Sequence, residues 1–246
     1  MLINIIVFLL SIVPTVLIFL WLRNRKKEDR GYRKCANSAF IRGSISTFPI
    51  IGVSLFLYII LRLTHLQDYN TILYKVFYKV IVLALSEELV KFFAFRFLLK
   101  KKSYEYTWAD VAAFMTIVGL AFGLAEDVPY AIGAAPMVML VRGFTMGHVG
   151  YGFIMGWFYG KRLHTDKKHY GVIAFLLPWL IHGLYDFSLT PELIEINENF
   201  MFIGLALAVL EIVLLVLMIR FFIRARKTEM YNQALPRLTK VKKAVK

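Results

Sequence analysis

Ile81-Val82-Leu83-Ala84-Leu85-Ser86-Glu87-Glu88-Leu89-Val90-Lys91 places two adjacent carboxylates and an ammonium inside an apolar run. A charged side chain at bilayer depth costs kilocalories, so such residues default to a functional reading. On a helix, positions 87 and 91 share a face, and 88 is rotated from 87 by about 100°. Lys91 therefore reaches either carboxylate. One cation cannot cheaply serve two ionised acids in a low dielectric, so one carboxylate has either a raised pKa or a further partner. That is the setting of a general base acting on water. A salt bridge gluing helices together is the plainer alternative.

Working outward, the apolar blocks recur at about the length a bilayer needs. Of the 246 residues, 59% are hydrophobic, well above the soluble norm of about 45–50%. Seven spans are read at 2–22, 43–63, 72–97, 108–130, 136–160, 170–189 and 200–223. The expected fold is an all-α polytopic membrane helical bundle, one domain over 1–223 with its catalytic helices at 72–189. A flexible basic cytoplasmic tail over 224–246 completes the chain. The segment 2–22 lacks a basic leader and a small-residue cleavage site, so it reads as a retained span.

The net charge is +14, and its distribution points away from nucleic acid. Lysine and arginine crowd 23–42, 96–102, 161–168 and the stretch from Arg220 onward. The alternate connections 64–71, 127–135 and 190–199 contain neither. By the positive-inside rule this places the N-terminus outside and the C-terminus in the cytoplasm. The basic loops then meet anionic lipid heads. The single cysteine, Cys35, excludes an intrachain disulfide and a cysteine-based metal site. It falls in the first basic connection.

Three other spans carry polar groups. In Phe122-Gly-Leu-Ala-Glu126-Asp127, Gly119 and Gly123 allow close helix approach and draw Glu126 inward. Asp127, before Pro129, reads as a boundary residue. The fifth span carries Arg142, His148 and a glycine stripe at 152, 156 and 160. His148 is either a packing residue or part of a site, and Arg142 either neutralises an acid or snorkels outward. In the sixth span His182 and Asp186 are four apart and share a face, so Asp186 either fixes the tautomer of His182, orients it, joins it in contacting substrate, or is a plain charge at the helix end. Glu87, His148 and His182 all fall near mid-span, with Glu126 and Asp186 further outward.

These residues carry a resemblance. Glu87-Glu88-x-x-Lys91, Phe122-x-x-x-Glu126, His148 and His182-x-x-x-Asp186 resemble the motif series of the PrsW proteases. The likeness extends to GLAFGLAEDVPY (119–130), VRGFTMGHVGYGFIMGWFYGKRL (141–163) and LIHGLYDFSL (180–189). That family is similar to the CAAX-processing and bacteriocin-processing membrane proteases and, distantly, to the Aph-1 scaffold. The resemblance implies an intramembrane endopeptidase acting as a site-1 protease on a membrane-anchored protein, such as an anti-sigma factor, at its extracytoplasmic side. This chain departs from the CAAX enzymes in having Glu126 where they have His, and Asp186 where they usually have Asn.

The expected chemistry is peptide hydrolysis by an activated water. Glu87 is the base, tuned by Glu88 or Lys91. His148 orients the water or protonates the leaving amine. His182 with Asp186 stabilises the oxyanion, and Glu126 helps hold the water. Metal-independent chemistry is the first expectation, by analogy with the CAAX enzymes. The alternative is Zn²⁺ held by Glu126, His148 and His182, with Glu87 still the base. A proton-coupled transporter would favour inverted repeats, which the sequence does not show. An Aph-1-like scaffold would need no double glutamate.

Overall fold

The computed structural model describes residues 2–69, 71–99, 106–133, 142–143, 145–165 and 167–244. All regular structure among them is helical. In chain order the elements are α1 (Leu2–Arg23), α2 (Arg30–Ile45), α3 (Thr47–Leu63), α4 (Leu66–Tyr69) and α5 (Thr71–Val76). A π-helix (Phe77–Ala84) leads into α6 (Leu85–Leu99). Then come α7 (Trp108–Gly133), α8 (Gly147–Leu163), α9 (His169–Ser188), α10 (Pro191–Ile196) and α11 (Asn199–Ala244).

Helix α7 is the axis of the bundle, with almost every side chain from Val111 to Phe122 buried. It packs most closely on α8, because glycine lines their seam. A Cβ on Gly152 would lie 2.7 Å from the Met115 carbonyl oxygen, and one on Gly156 would lie 2.9 Å from the Ala112 Cα. Dispersion between close backbones drives such pairing where lipid is as apolar as the side chains.

The stretch 23–42, read above as a basic connection, is mostly helix. In α2 Tyr32, Cys35, Ala36, Ala39 and Gly43 are buried, and the helix packs on α7. Lys34 stays exposed on its other face. Hydropathy averaging hides such an amphipathic helix, since its charges dilute a buried stripe. Cys35 is accordingly buried. Helices α2 and α3 meet at a 41° bend. There Ser46 Oγ donates to the Gly43 carbonyl and Thr47 Oγ1 to the Ser44 carbonyl, side-chain bonds that compete with the helix ladder.

By length and composition, three described helices suffice to cross a membrane: Trp108–Pro129, His169–Ser188 and Asn199–Glu229. The bent α2–α3 pair makes a fourth if it counts as one span. Seven spans were expected. The third is interrupted by the π-helix, and its α6 half carries Glu87, Glu88, Lys91 and Arg96. The start of the fifth (136–141) and lysines 100–102 lie outside the described residues. The tail differs too: α11 continues as helix to Ala244.

At one end of the bundle a buried ionic network joins three helices. Arg25, just after α1, pairs with Asp110 at the start of α7 and, at 2.8 Å, with Glu229 of α11. Lys26 adds a 2.8 Å bond to Asp110. The polar cluster on α6 to α9 lies further along α7.

Candidate active site

Helices α6, α7, α8 and α9, with Arg142 from the segment before α8, bring Glu87, Glu88, Lys91, Glu126, His148, His182 and Asp186 into one contact network. Its hub is Glu88, fully buried on the first turn of α6. Glu88 Oε1 accepts from Lys91 Nζ at 2.6 Å and from His182 Nδ1 at 2.9 Å. With the proton on Nδ1, the His182 Nε2 lone pair is free. This is the carboxylate–histidine arrangement that fixes a ligand's tautomer. Asp186 lies 3.6 Å from Nε2, beyond hydrogen-bond reach, so of its expected roles the hold on the His182 tautomer falls to Glu88.

Lys91 settles which glutamate it serves. It is 4.0 Å from Glu87 and 2.6 Å from Glu88. Its third partner is His148 Nδ1 at 3.0 Å, and it lies 4.2 Å from the centre of the Phe122 ring. Since the ammonium donates to Nδ1, the His148 proton sits on Nε2, which donates to Glu126 Oε2 at 2.5 Å. Arg142 bonds Glu126 at 2.9 Å and Asp127 at 2.7 Å. It neutralises acids and does not snorkel, and Asp127 is a partner in the cluster.

Local sequence explains this convergence. Gly123 leaves the His148 ring its space: a Cβ there would lie 3.0 Å from Cδ2. Gly183, next to His182, instead admits the π-helix, since a Cβ there would lie 2.9 Å from the Val80 side chain. A cavity of about 60 Å³ opens beside the imidazoles, lined in part by Arg142, Thr145, His148, His182, Tyr185 and Asp186. At about 10–15 Å³ per water it holds several.

Three ligand atoms converge without bonding one another. Glu87 Oε2 lies 3.9 Å from His148 Nε2 and 3.7 Å from His182 Nε2, and all three atoms fall within 4.8 Å. Glu87 Oε2 is buried and has no hydrogen-bond partner. A tetrahedral Zn²⁺ site with bonds of 2.0–2.1 Å has edges of about 3.3 Å. The donor set and the orphaned oxygen fit a divalent metal in kind, and the edges would contract by about 0.4 Å to as much as about 1.5 Å to bind one. The trio differs from the expected one: Glu87, with an unpartnered oxygen, stands where Glu126 was expected, while Glu126 Oε2 is bonded to Arg142 and to His148 Nε2, a bond that a metal on Nε2 would replace.

Two residues escape sequence reasoning. Glu211 on α11 is 1% exposed and accepts from the Tyr151 hydroxyl. An acid within Leu205–Leu217 carries the same signal as Glu87. It stands alone, with no polar residue three or four positions away to form a motif. Tyr151 reads as ordinary aromatic packing.

A family model described as "PrsW family intramembrane metalloprotease" matches residues 33–221. The chain belongs to the PrsW family. Among curated relatives, Protease PrsW of Oceanobacillus iheyensis is 29% identical over 154 residues, covering 61% of this chain and 67% of that one. Protease PrsW of Clostridioides difficile is 24% identical over 195 residues, covering 75% and 79%. Protease PrsW of Geobacillus kaustophilus is 30% identical over 113 residues, covering 44% and 50%. No solved structure matches the chain significantly. As a PrsW-family protein it is a membrane-embedded protease acting on a membrane protein substrate.

Proposed function

We propose that this PrsW protease hydrolyses a peptide bond at the Glu87–His148–His182 cluster, close to the extracytoplasmic side of a membrane-anchored protein such as an anti-sigma factor. The observation that carries the reading is the convergence of Glu87 Oε2 with two imidazole Nε2 atoms at 3.7 and 3.9 Å. Glu87, His148 and His182 would hold a divalent metal, Zn²⁺ being the simplest choice. When bound, it would polarise the scissile carbonyl and acidify a water. The family's description as metalloproteases favours this over the metal-independent chemistry first expected.

The chain's own groups do the rest. Glu88 holds the His182 proton on Nδ1 and keeps Nε2 available. On metal binding, His148 Nε2 would release the proton that it donates to Glu126 across 2.5 Å, and leave Glu126 ionised. With Glu87 engaged as a ligand, Glu126 is the carboxylate left to take a proton from water and return it to the leaving amine. Arg142 holds Glu126 and Asp127 in place. Asp186 lines the cavity beside His182, where an extended peptide would meet the site.

The seven-span topology, with the N-terminus outside and residues 224–246 at the cytoplasmic surface, belongs to the same reading. It is supported by the alternation of basic and non-basic connections. Anionic lipid heads are the partners of the basic connections.

The test is cleavage by protein purified in detergent, with metal content measured before and after a chelator. Loss of metal and of cleavage together, with recovery on adding Zn²⁺, is the expected result. Cleavage by metal-free protein would replace the metal reading with Glu87 acting as base. Retained cleavage in folded Glu87→Gln and His182→Ala would defeat the site altogether. Substrates are found by comparing membrane-protein fragments in cells carrying wild type and Glu87→Gln.

A further inference from the structure

We infer that Glu211, from the last membrane helix, is a positioning residue of the active site: it anchors Tyr151, and Tyr151 sets the plane of the His182 imidazole. The inference rests on the active-site assignment above and extends it to a helix that carries none of the cluster's ligands.

The burial of Glu211 needs a reason. Its neighbours Ile212 and Val213 are exposed on α11, so this helix has a lipid-facing side. Yet Glu211 turns inward and accepts from the Tyr151 hydroxyl. Its carboxylate also lies against the first turn of α8. A Cβ on Gly147 would come within 2.8 Å of Glu211 Cδ, so glycine there is what admits the carboxylate. The amide groups and positive dipole end of a helix start suit an anion. His148 is the next residue, so the same carboxylate also steadies the turn that carries it.

The second half of the chain of contacts is aromatic. The Tyr151 ring stacks on His182 with centroids 5.0 Å apart and planes 24° from parallel. It meets His148 edge-on at 6.0 Å and 84°. Glu88 fixes one atom of His182, Nδ1. One hydrogen bond leaves the ring able to rotate about that bond, and the stacking partner removes this freedom. Tyr151 in turn is pinned at its far end by Glu211. Release of the hydroxyl lets the ring tilt, and Nε2 loses its aim at Glu87 Oε2. Sites of this kind tolerate about 10–20° of misorientation.

The test reads the imidazole directly. Protein labelled with ¹³C-histidine is purified in detergent, and the ring signals of its five histidines are recorded. His182→Ala and His148→Ala assign the two site signals. In Tyr151→Phe and in Glu211→Gln the His182 signals should shift, while those of His65, His164 and His169 stay in place. Cleavage should fall about 10–100-fold in kcat with KM little changed, as for other supports of a ligand. The double variant should be no slower than the slower single one, because both break one chain of contacts. Unmoved His182 signals in folded Tyr151→Phe would overturn the inference. So would equal shifts of all five histidines, which mark a general packing role. Tyr151→Phe keeps the test valid even if Glu211→Gln does not fold. A wild type that cleaves nothing would sink the protease site while leaving the ring measurement to decide this one.

Discussion

Lys91 makes two adjacent glutamates chemically different. It lies buried against Glu88, His148 and the Phe122 ring, and only at 4.0 Å from Glu87. Glu88 Oε1 is thereby held by two donors, and Glu87 Oε2 is left without a hydrogen-bond partner, as the proposed site requires. Replacing Lys91 by Met should leave Glu88 as a buried, uncompensated charge. Breaking such a pair costs about 3–5 kcal/mol, read as a lower unfolding midpoint in detergent. Glu88→Gln keeps the shape and weakens the hold on His182. Cleavage should then fall about 10–100-fold with the protein still folded. Full activity in Glu88→Gln would show that Glu88 does not set the tautomer of His182. The pairing of Glu87, Glu88 and Lys91 is legible in the sequence, since the spacing puts them on neighbouring faces of a helix. Lys91's choice of acid is not, because i+3 and i+4 are equally within reach.

Helices α7 and α8 hold the site by close approach, and glycine permits it. Gly152 on α8 faces the Met115 carbonyl oxygen and the Gly119 Cα. Gly52 on α3 has nothing within 4 Å of an added Cβ. Gly152→Leu should push α8 off α7, lower stability by about 1–3 kcal/mol or more, and abolish cleavage by moving His148 away from Glu126. Gly52→Leu should leave both unchanged. Equal effects of the two would deny the seam its role. The glycine pattern is legible because its spacing of four is a helix-face signature. The π-helix at Phe77–Ala84 is not. Its wider turns arise from packing, where Trp179 Nε1 donates to the Val80 carbonyl at 2.7 Å and Gly183 admits Val80. No residue type encodes that geometry. The amphipathic α2 is lost to hydropathy averaging for the reason given above.

On the scale of the whole molecule, the polar cluster and the Arg25–Asp110–Glu229 network sit at different levels of one axis. Sixteen residues of α7 separate Asp110 from Glu126, about 24 Å at 1.5 Å per residue. The network ties α1 and α11 to α7, and the cluster ties α6, α8 and α9 to it. Stability and chemistry should therefore separate. Asp110→Leu leaves the Arg25 guanidinium, which is nearly fully buried, with only part of its counter-charge. It should destabilise the protein by about 3–5 kcal/mol. Adding Arg25→Met removes the orphaned charge and should restore part of that loss, since an apolar pair can replace a buried ionic one. The double variant should thus be more stable than the sum of the singles by about 0.5–3 kcal/mol. Below its unfolding midpoint each variant should cleave at close to the wild-type rate, because no group of the network reaches His148 or His182. Additive destabilisation would mean that Lys26 and Glu229, which also join the network, compensate each charge separately. Loss of cleavage in a fully folded Asp110→Leu would mean instead that α7 transmits displacement along its length to Glu126.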